Sequence, residues 1–477
     1  MSDFPIKLLI NGQWLDGSEA KKLTIINPAS EEPIAEVSSA TADETGQAVE
    51  AGQAAFESIW RDMPPGQRAE LLQNLAKYIR KNVETIAQLE TRNVGKPIGD
   101  ARWEADAGAK VFEYYAGAIG HLCGQTIPVA RGGFNFTLRQ PMGVIAAITP
   151  WNFPFLIACW KVAPALAAGN SVVLKPASLT PLTALILGQL AQEAGLPDGV
   201  LQVLPGSGSV TGNTLATHPL VRKIGFTGST EVGATIMKLA ANDIKRVSLE
   251  LGGKSPNIVF ADADWERAAD ESPMSVFANT GQDCCARSRM FVEQSIFDDF
   301  LNRFVSTTEA LHIGDPTLDE TQIGPMVCAA QRELSEEYIL EATTAGRIIK
   351  TGGDRPDGKG YYLKPAVITG VEIEDRVWRE EIFGPVVCLR PFTDETQMLR
   401  EVNDTNFGLS GSVWSNDLSR ALRVARHVES GVISINSHSS VHTEAPFGGF
   451  KRSGLGRDLG MSAIEACTEV KNIYVGE

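Results

Sequence analysis

The sequence predicts an α/β protein made of two successive domains, each with a parallel sheet. Three observations carry this. The chain has 477 residues, more than a single core uses. From residue 143 to 251, short β-branched runs alternate with amphipathic segments, and a second such rhythm begins at 256. Domains usually run to about 100–200 residues, so two or three are expected. An apolar content of 43% is enough to fill their cores.

Residues 41–122 read as helices; within 68–81, for instance, apolar side chains recur at spacings of three and four. β-branched runs follow at 144–148, 171–174, 200–204, 223–226 and 246–249, with helix-like segments such as 181–194 and 231–241 between them. That alternation argues a parallel sheet covered by helices on both faces. A second series, 256–260, 264–277, 290–293 and 296–311, argues another domain of the same class. Two segments fit neither series. Residues 125–139 alternate around Gly132-Gly133 and read as a β-hairpin, and 469–475 alternates as a further strand. A hairpin projecting from such a domain has open edges, covered either by another subunit or by a local strand.

Composition excludes several classes. With 58 acidic against 43 basic residues the net charge is −15, and no Lys/Arg-rich block interrupts it, so neither nucleic acid nor an anionic membrane is an expected partner. The seven cysteines (123, 159, 284, 285, 328, 388 and 467) are odd in number, irregularly spaced and without a C-x-x-C pair. Free thiols in the cytoplasm are expected, with neither disulfides nor a bound metal. Met1-Ser2-Asp3-Phe4-Pro5-Ile6-Lys7 shows no secretion-signal pattern. The most apolar stretch, 153–169, is broken by Pro154, Lys161 and Pro164 and is too short to span a bilayer.

The chemistry-bearing motifs are ambiguous one at a time. Gly225-Phe226-Thr227-Gly228-Ser229-Thr230-Glu231-Val232-Gly233 closes a strand and opens a helix, which suits either a phosphate or a plain tight turn. Its spacing is not G-x-G-x-x-G, and Gly206-Ser207-Gly208 fails that pattern as well. Gly252-Gly253-Lys254-Ser255 resembles the end of a phosphate-binding loop, but Ser248 stands where that motif needs glycine. Gly281-Gln282-Asp283-Cys284-Cys285 places a thiol on a turn after a helix, open to both a packing and a nucleophilic reading.

Together the motifs are distinctive. Glu250-Leu251-Gly252-Gly253-Lys254-Ser255-Pro256 and the Gly-Gln-x-Cys run at 281–284 resemble the aldehyde dehydrogenase superfamily. So do Pro150-Trp151-Asn152-Phe153-Pro154, Lys175-Pro176-Ala177-Ser178, Glu380-Glu381-Ile382-Phe383-Gly384-Pro385 and Pro446-Phe447-Gly448-Gly449-Phe450-Lys451-Arg452-Ser453-Gly454, in the family's order along nearly the whole chain. The resemblance implies a Rossmann-like cofactor domain, a second α/β catalytic domain and a small β-hairpin oligomerisation element. The corresponding division is 1–122 with 142–251, then 252–457, and 123–141 with 458–477. It implies oxidation of an aldehyde to its acid with NAD(P)+ and water, through a thiohemiacetal and a thioester on Cys284. Asn152 then matches the amide that holds the oxyanion, Glu250 the base that activates water, and Lys161 a lysine linked to proton transfer or to the oxyanion surroundings. Thr149, Trp151, Lys175, Ser178, Gly208, Phe226, Gly228, Ser229, Leu251, Glu381 and Phe383 match cofactor positions. Phe153, Leu156, Trp160, Asp283, Cys285 and Phe447 match an aromatic substrate funnel suited to medium or bulky aldehydes. A homodimer or homotetramer is implied.

Two rival readings use the same residues: a thiol hydrolase or CoA-acylating enzyme, and a non-catalytic relative. Retention of Asn152, Glu250 and Cys284 together argues against both. Two positions carry finer expectations. Asp283, a carboxylate beside the nucleophile, suits a positively charged aldehyde. Ser178 stands where relatives that prefer NAD+ usually carry glutamate, so use of both NAD+ and NADP+ is expected; its plainer role would be to cap the helix that follows.

Overall fold

The computed structural model describes residues 4–17, 22–439 and 441–476; Met1, Ser2 and Asp3, where the signal reading began, lie outside them. The first of two large sheets has eight strands. Its centre is five parallel strands, in the spatial order Arg246–Glu250, Val221–Thr227, Val144–Ile148, Ser171–Lys175 and Leu201–Val203. Val144–Ile148 and Ser171–Lys175 are buried at every residue. Strands covered on both faces must be apolar throughout, which is why they read as continuous runs.

Antiparallel strands close both edges. Leu8–Ile10 and Gln13–Leu15 form one, and Gly454–Leu455, returning from late in the chain, pairs with Leu249 and Glu250 on the other. The second sheet has seven strands ordered Ile348–Thr351, Ala366–Thr369, Val386–Phe392, Arg289–Glu293, Pro256–Val259, Ser410–Trp414 and Val432–Ile435. All its pairings are parallel except the first.

The hairpin expected at 125–139 differs in its partner. Thr126 makes only a bridge to Phe136, whereas Phe134–Pro141 runs antiparallel to Thr468–Val475 over eight residue pairs. Pro128 has no N–H to extend the short arm, which stops at that bridge, while Thr468–Val475 runs along the opposite edge of the strand. The two-stranded unit Lys22–Asn27 with Glu32–Ser38 was not read from the sequence. Among the described residues no helix is long and apolar enough to cross a membrane.

Candidate active site

The helix Pro154–Ala167 is buried along its whole length and packs against the helix Ile98–Ala118. Its N-cap residue, Phe153, offers no capping side chain. Two buried carboxylates from other helices do the work instead: Glu90 accepts from Phe155 N at 3.0 Å and Glu104 from Leu156 N at 3.1 Å. Lys96 pairs with Glu104 and sits 4.2 Å above the Phe153 ring. This support fixes the start of the helix, and with it Asn152 two residues before. Asn152 Nδ2 donates to the Gln282 carbonyl at 2.9 Å, reaching directly into the cysteine turn.

That turn is held on several sides. Asn279 and Thr280 have φ of 49° and 58°, a conformation costly for residues with a Cβ. Gly281 has φ 71°, and a Cβ there would fall 2.2 Å from the Gly384 carbonyl oxygen. Only glycine lets the cysteine turn press against the 380–385 loop. Within the loop, Phe383 has φ 58° and meets Trp151 edge-on at 5.2 Å. Glu381 accepts from Gly253 N at 2.9 Å, and burial pushes its carboxyl up to about 7.

Two cavities meet at this turn. The larger, about 760 Å³, is lined by all eleven expected cofactor positions: Thr149, Trp151, Lys175, Ser178, Gly208, Phe226, Gly228, Ser229, Leu251, Glu381 and Phe383. The smaller, about 210 Å³, is lined by all six expected substrate positions: Phe153, Leu156, Trp160, Asp283, Cys285 and Phe447. Cys284 and Glu250 line both, and Asn152 lines the larger.

The larger cavity fits a dinucleotide in its details. A Cβ on Gly228 would fall 2.5 Å from the Phe226 ring, so backbone alone stands there, at the start of the helix Thr230–Ala240. Among the described residues Lys175 Nζ bonds only the Pro176 carbonyl, and burial lowers its ammonium to about 8, leaving it able to hold a ribose or a phosphate. Ser178 does not cap the next helix, which begins at Leu182; its hydroxyl donates to the Gly206 carbonyl at 2.9 Å.

Glu250 is 3% exposed, and among the described residues neither carboxylate oxygen has a hydrogen-bond partner. Burial, reinforced by nearby Asp458, raises its pKa well above the usual carboxylate range. Gly448 is bare for a reason: a Cβ there would fall 2.6 Å from Glu250 Oε1. Lys161 lines neither cavity. It forms a buried ion pair with Asp458 at 2.8 Å and reaches Glu250 through its charge.

Asp283 accepts from Cys285 N at 2.8 Å, so one of its oxygens holds the turn. Its carboxylate and the two thiols lie within 4.8 Å of one another, as consecutive residues on a tight turn must. Sequence reasoning missed Lys96, Asp100, Trp103 and Val441 in the funnel wall, and the Gln282 and Asn279 amides beneath the turn. Gln282 had a signal, as part of the Gly-Gln-x-Cys run; the others lie outside the matching motifs.

Comparison with known proteins agrees with this geometry. A family model described as the aldehyde dehydrogenase family matches residues 14–473. An aldehyde dehydrogenase of Emericella nidulans is 41% identical over 471 residues, 98% of this chain and 95% of that one. The crystal structure of an E. coli NADP dependent enzyme superposes with a TM-score of 0.98 at 39% identity, covering 99% of this chain and 98% of that one. The NAD+ complex of an aldehyde dehydrogenase from Bacillus cereus gives 0.97 at 39% identity, covering 98% and 96%. With its residues converging on one thiol between a dinucleotide-sized cavity and an aromatic funnel, this chain belongs to the aldehyde dehydrogenase family, enzymes that oxidise aldehydes to acids with NAD(P)+.

Proposed function

We propose that the chain performs this oxidation through a thiohemiacetal and then a thioester on Cys284. The observation that carries the reading is the meeting of the two cavities at Cys284 and at an unpartnered buried carboxylate, Glu250. Bound NAD(P)+ supplies the hydride acceptor. The Cys284 thiolate attacks the carbonyl carbon, and the Asn152 amide with the Cys284 N–H holds the oxyanion; one such donor is worth about 3–4 kcal/mol. Glu250 takes a proton from water as that water attacks the thioester, releasing the acid and the thiol. Lys161, paired with Asp458, tunes the charge on Glu250 from behind.

Phe153, Leu156, Trp160 and Phe447 suit a medium or bulky apolar aldehyde, with Cys285 filling the wall. Asp283, joined by Asp100 in the same funnel, favours an aldehyde carrying an ammonium group. Residues 1–122 with 142–251 form the cofactor domain, 252–457 the catalytic domain, and 123–141 with 458–477 the element through which a homodimer or homotetramer assembles. The free thiols suit the cytoplasm.

Cys284→Ala tests the mechanism: it abolishes oxidation, while Cys285→Ala keeps most of it. More than a trace of dehydrogenase rate in Cys284→Ala sinks the reading.

Both cofactors are used, because position 178 brings no negative charge against a 2′-phosphate. Two like charges about 4 Å apart cost on the order of 1–4 kcal/mol between bulk water and a surface site. Ser178→Glu therefore moves the kcat/KM ratio toward NAD+ by about tenfold or more. A wild type that ignores NADP+, or an unaltered ratio in the variant, rules this out.

A further inference from the structure

Arg287, three residues beyond the nucleophile, is 2% exposed and absent from both cavities. Its guanidinium nonetheless gathers the surroundings of the cysteine turn. Nη1 donates to the Cys285 carbonyl and, at 2.7 Å, to Ser410 Oγ; Nε donates to Ser412 Oγ at 2.9 Å. Nη2 lies 3.4 Å from the His438 carbonyl and 3.5 Å from that of Gly411. Ser410 and Ser412 belong to the strand Ser410–Trp414, and His438 to the loop that leads to Val441 in the funnel wall. One planar fork thus spans the turn, the second sheet and the His438 backbone.

The charge is as unusual as the geometry. Among the described residues no carboxylate lies within 4.0 Å of this guanidinium. A buried cation lacking such a partner is costly unless other groups answer it. The anionic or ionisable groups that bear on it are Asp283, Cys284 and Cys285, all on its own turn. From other elements Cys284 is faced by Glu381 on the 380–385 loop, by Glu250 across the junction of the cavities, and by Lys96 and Asp100 in the funnel. Four of these neighbours, Asp283, Glu381, Glu250 and Asp100, oppose a thiolate when ionised. His438, packed 5.1 Å from Trp414, is held neutral by burial and by Arg287, with its pKa lowered to about 3. It therefore serves Ser412 only as a neutral hydrogen-bonding partner, at 3.1 Å.

We propose that Arg287 is a positioning residue for the reaction: it clamps the Cys285 carbonyl to the second sheet, holds Cys284 in its attacking orientation, and supplies the fixed positive charge that favours the thiolate. The inference rests on Cys284 as the nucleophile, which Cys284→Ala tests by itself. Lysine keeps the charge but cannot reach a carbonyl and two hydroxyls in one plane, whereas methionine loses both charge and fork. The two substitutions therefore separate the roles.

The experiment follows alkylation of Cys284 by iodoacetamide as a function of pH, with the site read by peptide mass spectrometry, alongside kcat, KM and NAD+ affinity. In Arg287→Met, kcat falls about tenfold at unchanged NAD+ affinity, and the alkylation midpoint rises by about one pH unit. In Arg287→Lys the midpoint stays near that of wild type while kcat still falls. A folded Arg287→Met with the wild-type midpoint overturns the proposal even if kcat drops, because loss of packing alone would do that. If Arg287→Met does not fold, judged by circular dichroism, Arg287→Lys decides, and wild-type kcat there overturns the clamp. Loss of activity that tracks alkylation of a different cysteine while Cys284 stays unmodified would instead overturn the nucleophile assignment.

Discussion

Glu250 shows how a single side chain is tuned for its task. A carboxylate without a hydrogen bond in a buried site holds its proton to higher pH than it would in water. As the proposed base, Glu250 must be ionised to act, so steady-state turnover is expected to fall as pH drops through this raised pKa. Glu250→Gln removes that dependence and slows deacylation more than hydride transfer. Stopped-flow absorbance should show a burst of reduced cofactor followed by a slow steady state; equal slowing of both phases would reassign Glu250. The same shift has a sign for stability. A pKa raised on folding contributes stability at low pH that is lost as pH rises through the folded value. The glutamine variant therefore gains stability relative to wild type on the alkaline side, which thermal melts at two pH values would show.

Among the elements, the helix Pro154–Ala167 depends most on its neighbours. Its first N–H groups are capped from residues 65 and 52 positions earlier in the chain. Glu104→Gln breaks the buried ion pair of Lys96, which keeps the charges of Glu90, Asp100 and Asp283 around it, so the loss is below the ~3–5 kcal/mol of a fully broken buried pair. The expected outcome is a lower unfolding midpoint together with a reduced kcat, since Asn152 shifts with the helix start. A variant with the wild-type midpoint would remove Glu104 from this role. The distance along the chain also explains what could be read beforehand. Val144–Ile148 was legible because a strand buried on both faces must be apolar, and Asn152, Glu250 and Cys284 because each lies in a compact motif. Glu90, Glu104 and Arg287 look like ordinary charged residues in sequence. Their meaning comes from partners such as Ser410, 123 positions from Arg287, which no local pattern records.

At the scale of the molecule, the two-stranded sheet of Phe134–Pro141 and Thr468–Val475 stands apart from the large sheets. An isolated pair of strands is marginal in water. This one also exposes Phe134, Leu138 and Val475 on one face and Val470 and Tyr474 on the other, apolar surface that a second subunit would cover. Val470→Asp combined with Leu138→Asp should therefore yield a smaller species by light scattering after size exclusion. An unchanged mass would place the assembly surface elsewhere.

The return of the chain through Gly454–Leu455 to the first sheet bears on how the enzyme is made. A nascent chain that has reached residue 445 already contains Asn152, Glu250 and Cys284. It lacks the Phe447 wall, the Asp458 counter-charge to Lys161, and the strand that covers Arg246–Glu250. At about 5–20 residues per second the ribosome needs a few more seconds to deliver them. Throughout that interval the sheet edge beside Glu250 is an open template for pairing with other nascent chains, and the funnel is open on the side where Phe447 will stand. Synthesis order thus makes those seconds the point at which this protein most needs shielding from its own copies.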